Sequence, residues 1–312
     1  MKIYFATDIH GSEICWKKFL AAYKFYEADV LILGGDMTGK AIVPIIAQGG
    51  GKYKVTLLDQ ETILEGQEQI NEMVKTIQNR GYYPFVTDPD EVKEIAATPG
   101  KSDELFLKEV LNTIQRWMDL ADEKLAGTGI RCFVSPGNDD MFEIDEVIKS
   151  SKLVELVEGK LIHLDEHHEM ISSGWSNPTP WDTHREEDDD KLLERYEAIA
   201  SQLENPHTAV FNLHPPPYGS GLDEAPELTE DLSLAYAGQS LVSVGSHATL
   251  KLIEKYQPML SLHGHIHEGK GNRKYRKTLC INPGSMYEQG ILMGALIDLK
   301  PKKIGTYLLT QG

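Results

Sequence analysis

The sequence predicts an α/β protein, in which strands and helices alternate along most of the chain. Continuous apolar strands flank an amphipathic helix at the start of the chain, the pattern of a βαβ unit buried on both faces. Each of these strands stops abruptly in polar residues, at the end where open α/β sheets place their sites. With 312 residues, 41% of them hydrophobic and 25% charged, the chain has ample material for a core. That mixture excludes a disordered or collagen-like protein.

The first strand is expected over 2–6 and ends at Asp8-Ile9-His10-Gly11. Ser12 is placed to cap the next helix, with Glu13 in its first turn and Ile14, Phe19, Leu20 and Tyr23 on one face. A second strand over 30–33 runs into Gly34-Gly35-Asp36, and a third over 130–134 runs into Ser135-Pro136-Gly137-Asn138-Asp139-Asp140. About a hundred residues separate these two strands, too many for one crossover. Within them, 52–64 alternates as a strand does, 68–80 reads as a helix stopped by Gly81, and 102–125 is a longer amphipathic helix. We read a single domain over 1–312 with an inserted helical element at about 41–125, part of which is the ordinary crossover helix. Further on, helices are expected over 143–150, 190–203 and 246–256, and strands over 161–164, 169–173, 208–213 and 259–262. The strand over 208–213 delivers His214, and the one over 259–262 delivers His263-Gly264-His265-Ile266-His267. The tail from 278 is β-rich.

Basic residues number 31 and acidic residues 48, a net charge of −17. This balance argues against broad binding to nucleic acid, which uses Lys and Arg to displace counterions. Cys15, Cys132 and Cys280 lie far apart among apolar neighbours, as buried free thiols of a reduced compartment do. No apolar run approaches the roughly 18 residues of a membrane helix. The apolar stretch at the start is broken at Asp8 and His10, too early for a signal peptide. A cytoplasmic protein without membrane contact is expected.

Asp8, His10, Asp36, Asn138, His214, His265 and His267 all fall at strand ends. In extended chain, Asp-x-His and His-x-His place both side chains on one face. Carboxylate, amide and imidazole donors without thiolate suit Mn²⁺, Fe, Zn²⁺ or Co²⁺.

The ordered set Asp8-x-His10, Gly35-Asp36, Gly137-Asn138-x-Asp140, His214 and Gly264-His265-x-His267 closely resembles the motifs of the calcineurin-like binuclear metallophosphoesterases. The resemblance implies a four-layer αββα sandwich with two mixed β-sheets. It implies metal-dependent hydrolysis of phosphodiester or phosphomonoester bonds by in-line attack of a metal-bridging hydroxide. It assigns Asp8, His10 and His267 to one metal and Asn138, His214 and His265 to the other, with Asp36 bridging. The implied cofactors are two divalent or trivalent transition-metal ions, manganese first and iron, zinc or cobalt as alternatives. A small phosphoester is the implied partner, and the insertion is expected to border the site mouth and narrow the choice of substrate.

Asp139 departs from the family pattern, which commonly has a histidine there to protonate the leaving group. A carboxylate would need a raised pKa for that task. Asp139 and Asp140 are therefore catalytic candidates with the general-acid role open. Asn177, in the loop after a strand, and His247, at a helix start where N–H groups face outward, are candidate substrate contacts. The acidic run 186–190 reads as decoration of a helix N-terminus, and His263 as structural. Two rival readings stay open. One is a binding module of this fold that no longer turns over phosphate, motivated by Asp139 and the insertion. The other is a nuclease, which the metal chemistry permits and the acidic balance disfavours.

Overall fold

In a computed structural model, which describes residues 1–229 and 231–312, the expected βαβ unit opens the chain as β1 (Lys2–Ala6), α1 (Glu13–Tyr26) and β2 (Val30–Leu33). The next segment holds β3 (Ile42–Gly49), β4 (Lys52–Leu57), β5 (Gln60–Glu65), α2 (Gly66–Asn79), β6 (Tyr83–Thr87) and α3 (Pro89–Ala97). The long α4 (Lys101–Leu125) leads into β7 (Arg131–Val134), α5 (Ile144–Lys149) and β8 (Val154–Leu156). Then come β9 (Lys160–His163), β10 (Glu169–Ser173), α6 (Asp189–Ala200) and β11 (Val210–Leu213). The remainder is β12 (Glu224–Pro226), β13 (Leu241–Ser243), α7 (His247–Tyr256), β14 (Leu260–Leu262), β15 (Gly271–Tyr275), β16 (Thr278–Asn282), β17 (Met293–Lys300) and β18 (Lys303–Gln311).

Two six-stranded sheets form the centre, with strand orders β18-β17-β1-β2-β7-β8 and β15-β16-β14-β11-β10-β9. Both are mixed. In the first, β1, β2, β7 and β8 run parallel while β17 and β18 are antiparallel additions. In the second, β16, β14, β11 and β10 are parallel and the edges β15 and β9 are antiparallel. Strand alternation sorts the side chains between two cores. Ile3 and Phe5 of β1 join Ile32, Phe133, Val210 and Leu260 between the sheets. Tyr4 and Ala6 face outward, under α1, α4 and α5. Phe211 and Leu213 lie under α6 and α7 on the far side. Helices, sheet, sheet and helices are the four layers that the resemblance implied.

The insertion corrects the expectation of a helical element at about 41–125. Its last helix, α4, belongs to the outer layer, where Ile114 and Trp117 share a core with Trp16 and Phe19 of α1. Ahead of it stands a mixed unit, a four-stranded sheet of order β5-β4-β3-β6 packed on α2 around Val43, Ile45, Val55, Leu64, Ile70 and Ile77. Alternation over 52–64 marked β4 and β5. Pro44 and Pro84 hid β3 and β6, since proline gives no ladder donor and fits only at unpaired positions. Both have a neighbour on one side only: they face Phe85 and Val43 across the parallel β3–β6 pair, while β4 pairs with β3 only from Ile45 onward and β6 is an edge.

Among the described residues, no helix is long and apolar enough to cross a membrane. Cys15, Cys132 and Cys280 are buried and unpaired. The α1–α4 contact is centred on Trp16 and Trp117, whose rings stack at 5.1 Å and 7°. Trp117→Ala is expected to lower the unfolding free energy by about 3–5 kcal/mol, read from urea denaturation. A loss below about 1 kcal/mol would show that this stack does not hold the outer layer in place.

Candidate metal centre

The loops that follow β1, β2, β7, β11 and β14 meet where the two sheets come together. Backbone bonds join the first two: the N–H groups of Asp8, His10 and Gly11 donate to the carbonyls of Gly35, Asp36 and Met37 at 3.0, 2.9 and 2.7 Å. Across the seam, Gly264 N–H donates to the His214 carbonyl at 2.9 Å. Two glycines are required by this closeness. A Cβ on Gly35 would stand 2.3 Å from the His214 ring, and one on Gly264 would stand 2.3 Å from the Asp8 carboxylate. Asp8, His10, Asp36 and His265 all take left-handed backbone, with φ of 51°, 36°, 50° and 67°. Asp and His bear that region better than branched residues, yet such positions cost roughly 1–3 kcal/mol each and persist where the surroundings enforce them.

Asp8, His10 and His267 each offer a ligand atom, all within 4.8 Å of one another, and Asp36, His214 and His265 do the same. The Nε2 atoms of His10 and His267 face each other at 3.0 Å. Asp8 Oδ1 lies 3.6 Å from His267 Nε2 and 3.9 Å from His214 Nε2. Asp36 Oδ2 lies 3.3 Å from His214 Nε2 and 3.6 Å from His10 Nε2, so it stands between the two groups. Asn138 Oδ1 completes the set, 2.8 Å from His265 Nδ1.

Protein donors alone leave this cluster incomplete. Among the described residues, Nδ1 of His10 and Nε2 of His214 are buried with no hydrogen-bond partner, although Asp36 Oδ2 stands 3.3 Å from the latter. Unpaired ring nitrogens beside buried carboxylates are costly, and cations bound by carboxylate, imidazole and amide donors relieve both. The donor set fits divalent transition metals. Burial pushes the His10 imidazole down to about 3 and that of His265 to about 4, so both rings are neutral and keep a lone pair to donate. Burial opposes charge on Asp36, but His214, His10 and His265 outweigh it and hold its carboxyl well below the usual range. Burial opposes the His214 imidazolium too, yet Asp36 and Asp8 hold it up at about 9.

The other predicted residues divide. Asp139 borders the cluster, with Oδ2 3.7 Å from His10 Nδ1 and its N–H donating to Asp36 Oδ1 at 3.1 Å. Burial and the charge of Asp36 push its carboxyl up to about 6. Asp140 has a different task from the catalytic one proposed for it. Its carboxylate accepts the N–H groups of Met37, Thr38 and Gly137 at 3.0, 2.8 and 2.8 Å and the Thr38 hydroxyl at 2.7 Å. These bonds tie the loop after β2 to the loop after β7 and leave neither oxygen free for substrate. Asn177 gives its Nδ2 to the Val244 carbonyl at 3.1 Å, and the His247 ring stacks on Tyr218 at 4.0 Å. The N–H groups of α7 expected to face phosphate are already taken, Ala248 by Asp189 at 2.8 Å and Thr249 by Ser246 at 3.1 Å. His263 has its Nδ1 2.8 Å from the Leu213 carbonyl. His163, His167, His168 and His207 line a cavity of about 490 Å³ that shares no residue with the cluster.

Lys40 went unmarked in the sequence because its partner comes from another loop. Its Nζ lies 3.4 Å from Asp139 Oδ2, at the rim. The insertion also reaches the site: the Ser12 hydroxyl donates to the Asn79 carbonyl and Gly39 N–H to the Tyr83 hydroxyl, each at 2.7 Å. Tyr287 stands against His10, ring centres 4.8 Å apart.

A two-sheet sandwich with Asp and His clusters able to hold metal ions at its seam is the architecture of a metallophosphoesterase. The family profile described as calcineurin-like phosphoesterase matches residues 1–269, and the chain belongs to that family. It is 28% identical over 151 residues to the uncharacterized protein MJ1162 of Methanocaldococcus jannaschii, a match covering 47% of this chain and 61% of that protein. The structure of TT1561 from Thermus thermophilus is similar at a TM-score of 0.54 and 14% identity, covering 100% of this chain and 97% of that one. Another solved structure matches at 0.55 and 16% identity, over 99% and 98% of the two chains. These two likenesses show the fold.

Removing the Asp140 carboxylate strands several buried donors at once. Asp140→Ala is expected to cost about 3 kcal/mol or more in chemical denaturation. A change under about 1 kcal/mol would return Asp140 to the pool of groups free to act on substrate.

Proposed function

We propose that this protein hydrolyses small phosphoesters, diesters ahead of monoesters, at a centre of two cations. Asp8, His10 and His267 would hold one, Asn138, His214 and His265 the other, with Asp36 shared. The supporting observation is the convergence of these side chains on buried ring nitrogens that no protein group satisfies. Two bound cations would polarise a phosphoryl oxygen and activate water, and manganese, iron, zinc and cobalt all suit the donors. Neutral Asn138, His10 and His265 add no negative charge, which favours an anionic phosphate even in a chain of net charge −17.

Asp139 stands where the family commonly places a leaving-group histidine. Paired with it, Lys40 brings a positive charge to the same rim. This supports a reading in which Lys40 and Asp139 attend the leaving oxygen, and in which good leaving groups need them least. The three buried free thiols fit a reducing compartment, so the cytoplasm is the proposed location.

Purified protein with Mn²⁺ is expected to hydrolyse bis-p-nitrophenyl phosphate, and Asp36→Asn to lower kcat/KM by about 100-fold or more. Equal rates in both proteins, or none with any of the four metals, would overturn the proposal and favour the binding module. Lys40→Met is expected to slow alkyl phosphodiesters about tenfold while leaving p-nitrophenyl esters within about threefold. Equal losses on both would remove Lys40 from the leaving-group side.

A further inference from the structure

Building on Asn138 as a ligand of that centre, we propose that Thr183 and Glu186 form a positioning relay that fixes its amide with the oxygen toward the metals. A side-chain amide can present either its oxygen or its NH₂ to the cluster. The two orientations have nearly the same shape, but only the oxygen has lone pairs for a cation. On the cluster edge the His265 ring, with Nδ1 2.8 Å from the amide, can meet either orientation by its choice of tautomer, so the decision falls to the hydrogen bond on the opposite edge.

There, Asn138 Nδ2 donates to Thr183 Oγ1 at 2.7 Å. A threonine hydroxyl both donates and accepts, so alone it would satisfy either orientation. Glu186 removes that freedom. Thr183 gives its single hydroxyl proton to Glu186 Oε1, and an ionised carboxylate only accepts. The hydroxyl can then do nothing toward Asn138 but accept, which turns the NH₂ to Thr183 and Oδ1 to the site. Burial works against the Glu186 charge, but the groups of Thr179 and Thr183 that donate to it outweigh this and keep it ionised.

The segment carrying the relay is anchored around Asn138 on both its main chain and its side chain. Thr179 donates to Glu186 through its N–H at 2.8 Å and its hydroxyl at 2.7 Å, and Thr183 N–H follows at 3.1 Å. Arg185 N–H donates to the Asn138 carbonyl at 3.1 Å. The buried Arg185 guanidinium donates to the Asp140 and Met141 carbonyls at 3.0 and 3.2 Å and to Asp145 Oδ1 at 2.7 Å. The acidic run read as helix decoration thus begins with a residue that serves the site. Outer partners of this kind fix ligand orientation and are worth roughly 10–100-fold in metal affinity.

Thr183→Val keeps the side-chain size and deletes the acceptor, while Thr183→Ser keeps the hydroxyl. In metal-free, nitrogen-labelled protein, the Asn138 NH₂ protons are expected to exchange with solvent at least about tenfold faster in Thr183→Val than in the parent or Thr183→Ser. Calorimetric titration with Mn²⁺ is expected to show two sites in the parent and one of them weakened about 10–100-fold in Thr183→Val. Thr183→Ser should stay near the parent. Glu186→Gln, whose amide can donate to Thr183 and free its proton, should weaken the same site with the fold intact by circular dichroism. Parent-like exchange and affinity in Thr183→Val, or equal impairment in the serine variant, would overturn the relay. A parent that takes up no Mn²⁺ defeats the two-metal reading instead, and the exchange rates then decide the relay by themselves.

Discussion

Two carboxylates, Asp8 and Asp36, lie buried where the carboxyl ends of two sheets meet, and much of the molecule answers that fact. An isolated buried carboxylate is prohibitively costly unless it is paired or bound to a cation. Here each has partial compensation: Asp8 accepts the His265 N–H at 3.0 Å, and Asp36 accepts the Asp139 N–H at 3.1 Å. The His214 ring lies near both, its Nε2 3.3 Å from Asp36 Oδ2 and 3.9 Å from Asp8 Oδ1. The left-handed backbone at Asp8, His10, Asp36 and His265 belongs to the same account, because ordinary backbone would carry these groups away from one another. The sandwich supplies the low-dielectric surroundings in which such a cluster could hold a cation.

The insertion is built into this arrangement. The end of α2 accepts the Ser12 hydroxyl, Tyr83 holds Gly39, and a Cβ on Gly81 would stand only 2.1 Å from the His10 carbonyl. It has a sheet and an apolar core of its own. An element joined in this way is tied to the loop that carries Asp8 and His10, and cutting it out would disturb that loop.

Much of this was legible in the sequence for a physical reason. Apolar strands that stop at Asp8, Asp36, Asn138 and His214 announce both the sheet and the place where its polar ends gather. What stayed hidden depended on partners distant in the chain. Asp140 resembles a second acid by spacing alone, but its donors Met37 and Thr38 lie 103 and 102 residues away. The N-terminus of α7 was a sound anion site in principle, and Asp189, from 59 residues upstream of Ala248, fills it. Thr183 looks like any loop residue until Asn138 is seen against it. Pro44 and Pro84 carried a local signal that was true of proline and misleading for β3 and β6, because pairing on one side only is compatible with both.

The contact between His10 and His267 spans 257 residues, and β1, the first strand, gains its antiparallel neighbour only when β17 arrives. On the ribosome, the cluster therefore cannot close until synthesis has passed His267. A nascent chain that stops before β14 carries Asp8 and Asp36 without His265 and His267, and so without two of the imidazoles that could hold a cation beside them. Such long-range pairing is slow to form. The cluster is thus a late product of synthesis, assembled only once the loop after β14 has reached the loop after β1.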